Sequence, residues 1–230
     1  MCGAGTMTLR RAPRRTREVQ GLTEPGIKRL LDEIAVCRLC RDEPVRGLHH
    51  RLPHEPRPVA VMSGEAKILI AGQAPGLRVH ETGITFNDAS GNRLRDWLGV
   101  TRDEFYDTSR FAIVPMGFCF PGYDANGGDL PPRREWAPRW RIAVMAAMPQ
   151  VELILAVGHH AQSWHLGAGV RENMTETVRH WRDYLEPVAG IPVLPLPHPS
   201  WRNTGWIKKN PWFEKELLPV LKELVRCKIG

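Results

Sequence analysis

Lys67-Ile-Leu-Ile-Ala-Gly-Gln-Ala-Pro-Gly76 decides the fold. The apolar run Lys67 to Ala71 stops at Gly72 and passes into Gln73-Ala-Pro-Gly76, a turn whose proline fixes φ and whose glycines allow close backbone approach. An apolar run of this kind, bounded by turn residues, reads as a short buried strand. In parallel sheets the loops leaving such strands host ligands. Outward from it, Phe111 to Pro115, Val151 to Val157 and Pro192 to Leu196 read as three more strands. Helical spacing separates them: Ser90 to Leu98 with Leu94, Trp97 and Leu98 on one face, Trp136 to Met148, a helix after Gly158 through Leu166, and Phe213 to Val225. Strands alternating with helices predict an α/β fold, a three-layer sandwich with a four-stranded parallel sheet between helices.

Upstream, Thr23-Glu-Pro-Gly opens a helix in which Ile27, Leu30, Leu31 and Ile34 share a face, and which leads into Cys37-Arg-Leu-Cys40. Residues 41 to 66 read as a long wrapping loop, and residues 121 to 134 as a Gly, Pro and Asp loop. Residues 1 to 20 carry five arginines between Arg10 and Arg17 and read as a basic, disordered tail, leaving 21 to 230 as a single domain. At 230 residues and 26.0 kDa the chain has room for one generous core, and no second full domain is expected. Apolar residues at 42% and charged residues at 25% exclude a fibrous or disordered chain. There is no apolar run of membrane length and no apolar leader, so a cytoplasmic monomer with no membrane partner is expected. Thirty-two Lys and Arg against 25 Asp and Glu leave +7, which favours an anionic partner, nucleic acid first. Five cysteines are an odd count, and a reducing compartment argues against a disulfide framework.

Two loops hold the chemistry. Thr82 to Gly91 places the lone aromatic Phe86 two positions before Asp88; the alternatives are a core anchor and a helix cap. Leu194 to Asn203 sets His198 among prolines that freeze the backbone, so its imidazole is held in place; a histidine bonding a nearby carbonyl is the alternative.

GQAPG at 72–76, the Phe86 to Gly91 segment, LAVGHHA at 155–161 and HPSWRN at 198–203 resemble the uracil-DNA glycosylase superfamily, nearest its bacterial iron-sulfur families 4 and 5. The resemblance runs from about Cys37 to Leu221 and implies that superfamily's four-stranded parallel fold. It also implies hydrolysis of the N-glycosidic bond of uracil, or another deaminated base, flipped out of DNA. By resemblance Phe86 stacks on the base, with Gly72 beside it, and His198 donates to uracil O2 with the backbone N–H groups of Gln73 and Ala74 assisting. Asp88 supplies the negative charge and activates the water, with His80 and Glu81 in reserve. Ser200, Arg202 and Asn203 press on the DNA, and Trp201, Trp206 and Trp212 among Lys208 and Lys209 extend that face.

The sequence departs from the resembling families in several places. The interval from Phe86 to Asp88 is one residue short, and Gln73 and Ala74 stand where other families put a carboxylate. Pro115 occupies the place of the asparagine that reads uracil, so relaxed base selection is expected. The families' [4Fe-4S] cluster takes four cysteines; Cys37, Cys40 and Cys119 match three, and the fourth place, near Glu135-Trp136-Ala137, has none. A three-cysteine cluster, a non-cysteine fourth ligand, zinc with His49, His50 or His54, and no cluster with Trp136 filling the space are the alternatives. Two other functional readings stand beside the glycosylase: a catalytically silent DNA-damage-binding relative, and an α/β hydrolase using Ser200 and His198.

Overall fold

The computed structural model describes residues 22–187 and 190–230. The basic segment 1–20 and Cys2 lie outside the described residues.

Four parallel strands form one sheet: β1 (Ile68–Ala71), β2 (Phe111–Ile113), β3 (Leu153–Val157) and β4 (Val193–Leu196), in the order β2-β1-β3-β4. Each side chain alternates faces, so every strand feeds two cores. Leu69, Ala71, Ala112, Ile154, Ala156 and Val193 face one; Ile68, Ile70, Phe111, Ile113, Leu153, Leu155, Leu194 and Leu196 face the other. The chain is therefore the α/β three-layer sandwich its strand spacing predicts.

The α-helices of five residues or more among the described residues are α1 (Glu24–Ala35), α2 (Leu77–Thr82), α3 (Ala89–Leu98), α4 (Arg102–Tyr106), α5 (Trp136–Ala147), α6 (His159–Leu166), α7 (Met174–Arg179), α8 (Thr204–Lys209) and α9 (Leu218–Ile229). Ile27, Leu30 and Ile34 of α1 and Trp140 and Val144 of α5 cover the first face. Leu94 and Leu98 of α3, Ile207 of α8 and Leu221 and Val225 of α9 cover the second. Ahead of α9, Phe213–Leu217 is a turn of π-helix, and the last helix runs on to Ile229, four residues past the predicted Val225. The 41–66 segment wraps the domain as read, but holds a 3-10 turn at Leu48–His50 and an antiparallel bridge from Val61 to Ile113.

This strand order sets the site. From β1 the chain crosses to β2 on one side and then returns to β3 on the other. The carboxyl ends of β1 and β3 thus flank a topological switch point, where two connections diverge and leave a crevice. Gly72–Gly76 leaves β1 there and Gly158 leaves β3.

Candidate functional site

At that switch point a cavity of about 750 Å³ opens. Its walls carry Gly72, Gln73, Ala74, Phe86, Asp88, Pro115, His198, Ser200, Arg202 and Asn203, so two loops separated by a hundred residues meet at one slot.

Gly158, at the exit of β3, packs against the Gln73 side chain of the β1 exit. Its φ of +85° suits glycine, and a Cβ there would stand 2.6 Å from Gln73 Nε2. The Gln73 side chain lies in that gap, while the carbonyls of Gly72 and Gln73 accept from the N–H groups of Met116 and Gly117, both at 2.8 Å. Those bonds fasten the first loop to the segment after β2 and carry Pro115 into the wall. With a tertiary amide and an apolar ring, Pro115 offers the cavity no side-chain donor.

Phe86 is the only described non-glycine residue with positive φ, at +51°. Such backbone is costly and persists only where its neighbours impose it. Here each neighbour is tied: Tyr106 Oη donates to Thr85 O at 2.7 Å, Arg95 Nη1 to Phe86 O at 3.3 Å, and Arg102 Nη2 to Asn87 Oδ1 at 3.2 Å. The Phe86 ring meets Phe105 edge-on at 6.1 Å and keeps its other side in the cavity. The core-anchor and stacking readings of this residue are both compatible with that position.

Asp88 caps α3, its Oδ1 accepting the Gly91 N–H at 2.9 Å. The cap leaves Oδ2 available and points the residue into the cavity wall. His198 stands near enough that the Asp88 charge raises its imidazole, yet burial is the larger influence and pushes it below the ordinary range. Its Nδ1 accepts the Ser200 N–H at 3.2 Å, so the neutral ring carries its proton on Nε2. Asn203 Nδ2 donates to His198 O at 2.7 Å and holds the turn.

Arg93, which sequence reasoning missed, joins the two loops. From α3, the helix that Asp88 opens, Nη1 donates to Ser200 O at 3.0 Å and Nη2 to Thr204 Oγ1 at 3.3 Å. Asp129 was missed as well; it reaches the same cavity from the 121–134 loop. Neither residue sits in a motif, and only the folded topology brings them to the slot.

Several expectations need correction. His80 and Glu81 are on α2 rather than in a loop, and the cavity walls do not include them. His80 packs against His54 and Phe120 instead. Trp206 and Trp212 pack with Phe213, and their indoles donate to Thr175 Oγ1 and Asn210 Oδ1, which makes them supports of the core. Trp201 is different, 75% exposed at the cavity mouth. The serine-hydrolase reading loses its pair, because the Ser200 group on the imidazole is the backbone N–H and not the hydroxyl.

The cysteine site does not fit a four-thiolate cluster. Cys37, Cys40 and Cys119 are buried in one apolar cluster together with Trp136. The Trp136 indole, 2% exposed, donates from Nε1 to Cys40 Sγ at 2.8 Å and meets Phe118 at 3.9 Å between centroids. Among the described residues no group of three or more His, Cys, Asp or Glu is placed to hold a metal ion. His54 has both ring nitrogens on carbonyls, those of Glu55 and Phe120, which argues against a zinc ligand. Freshly purified protein is therefore expected to lack the broad visible band of a four-iron cluster, and anaerobic reconstitution should give one only in Trp136→Cys. Stoichiometric iron in the wild type would contradict the packing.

No helix among the described residues is long and apolar enough to cross a membrane. A family model described as Uracil DNA glycosylase superfamily matches residues 60–222, well over half of the chain.

Proposed function

Since this chain belongs to the uracil DNA glycosylase superfamily, we propose that it hydrolyses the N-glycosidic bond of uracil, and of other deaminated bases, in DNA and leaves an abasic site. The observation that carries the reading is the convergence of Phe86, Asp88 and the Nε2–H tautomer of His198 on one cavity large enough for a nucleotide.

A base inside a duplex must leave the stack before any side chain reaches its glycosidic bond, at a cost of a few kcal/mol. Stacking on Phe86 returns about 1–3 kcal/mol of that. Trp201, exposed at the mouth, is placed to fill the gap left in the helix, and Arg202 beside it meets the phosphates. As the bond breaks, charge collects on the departing base. The His198 Nε2–H, already oriented by the bond at Nδ1, donates to it without reorganisation. Cationic character on the sugar is met by the Asp88 carboxylate, which the α3 cap holds in position.

Pro115 bears on selectivity. A pocket that hydrogen-bonds a base edge rejects analogues strongly, while an apolar wall discriminates weakly. Duplexes carrying uracil, hypoxanthine or xanthine should accordingly lose their bases at rates within about one order of magnitude of each other. Strict uracil preference would refute the relaxed pocket. The same panel run with Asp88→Ala and His198→Ala tests the activity itself: wild type no faster than the variants on any lesion leaves a DNA-binding relative without catalysis.

A further inference from the structure

A second carboxylate reaches the cavity from the hairpin between Tyr123 and Asp129, which pair as an antiparallel bridge. Asp124 closes that hairpin. Its Oδ1 accepts the N–H groups of Asn126 and Gly128, both at 2.8 Å, and its own N–H donates to Gly128 O at 2.7 Å. The turn is thus fixed by its own backbone, and Asp129 leaves it in a defined direction, toward the loop after β1. Its Oδ2 lies 3.8 Å from where a Cβ on Gly76 would be, which places the carboxylate beside the Gly72–Gly76 loop. Asp129 therefore stands over the first-motif loop, the very loop in which Gln73 and Ala74 provide no acid.

The two carboxylates differ in what holds them. Asp88 accepts the Gly91 backbone N–H at the start of α3, which fixes its carboxylate at the helix end. Burial raises the Asp129 carboxyl from its ordinary value; Arg202 opposes the rise, and Asp88 and Asp124 add to it. Two acids in one cavity with unlike surroundings suit two unlike tasks.

Resting on the glycosylase reading above, we propose that Asp129 is the proton acceptor for the attacking water, and that Asp88 supplies the fixed charge facing the sugar cation. The water oxygen forms a bond to C1′ as the C1′–N bond breaks and its electron pair leaves with the base. One water proton passes to the Asp129 carboxylate and later to solvent. The base anion, held by His198 Nε2–H, takes its proton from solvent. No further reactant is required.

The test is single-turnover base release across pH from oligonucleotides carrying uracil, hypoxanthine or xanthine, for the full chain and for Asp129→Asn, Asp129→Glu and Asp88→Asn, with DNA affinity and thermal melting measured alongside. Asp129→Asn should lower the rate about 100-fold, the lower end of general-base effects. It should also remove the acid limb of the pH profile, while affinity and melting stay near wild type. Asp129→Glu should restore part of the rate and the limb. Asp88→Asn should lower the rate and keep the limb. The assignment falls if Asp129→Asn retains the wild-type rate, or loses rate while keeping the limb, or loses rate only in proportion to DNA affinity. Should Asp129→Asn melt early, Asp129→Ser takes its place under the same criteria. A wild type that releases no base from any lesion fails the glycosylase reading itself, and this assignment with it; an active wild type with an indifferent Asp129→Asn fails the assignment alone.

Discussion

His198→Ala is expected to lower single-turnover base release by about 100- to 1000-fold, the size of effect seen when a preorganised donor to a developing oxyanion is removed. The expectation follows from how the ring is held. Ser200 N–H occupies Nδ1, Asn203 secures the carbonyl of the same residue, and burial lowers the imidazole from its ordinary value and so favours the neutral ring. An ammonium-like donor is not needed, because the Nε2–H dipole is aimed before the charge appears. Affinity for the intact oligonucleotide should move by no more than about threefold, since binding rests on phosphates and stacking rather than on this donor. Proton NMR of the ring should show an inflection below the ordinary imidazole range of about 6.5. A variant that loses affinity and rate together would make His198 a binding residue and remove it from the chemistry.

Gly91→Ala is expected to be the most damaging glycine-to-alanine exchange among the described residues. In an exposed helix this exchange gains stability, because alanine is the better helix former by about 1 kcal/mol. Here a Cβ would stand 1.7 Å from Phe86 O, 2.6 Å from Phe86 C and 2.9 Å from Phe86 Cβ. The obstacle is backbone, and that backbone is tied to Arg95 and flanked by the bonds at Thr85 and Asn87. Relief requires moving the whole 85–88 segment, the positive-φ residue included. A cost of about 3 kcal/mol, the upper end of overpacking effects, is expected in urea unfolding. Base release should fall with it, because both Phe86 and Asp88 shift. Unchanged unfolding would mean that Phe86 does not pack on the start of α3.

Much of this fold was legible because strands alternate faces. Each apolar run feeds two cores, and the buried side chains of β1 and β3 leave no polar position to mislead the reading. The strand exits were legible for a similar reason, since glycine and proline cluster where the backbone must turn. The short helices α2, α4, α7 and α8 were not, because five or six residues do not complete two turns and show no period. Arg93 and Asp129 were illegible for a different reason. One acts across an interval of more than a hundred residues and the other sits in a loop rich in acids and glycines, so neither differs from an ordinary surface charge until the chain is folded. The cysteine count gave the missing ligand, but only packing shows an indole donating to Cys40 in that space.

The Arg93 clamp has a consequence for protein engineering. A turn whose carbonyl is gripped from another helix is not a module, so transplanting residues 194–203 into a sister scaffold would carry the bonds on His198 but leave Ser200 O without its Arg93 anchor, and the turn free to drift from α3. Chimeras that exchange residues 88–93 and 194–204 as a matched set should retain turnover, whereas exchanges of either segment alone should produce soluble, inert proteins.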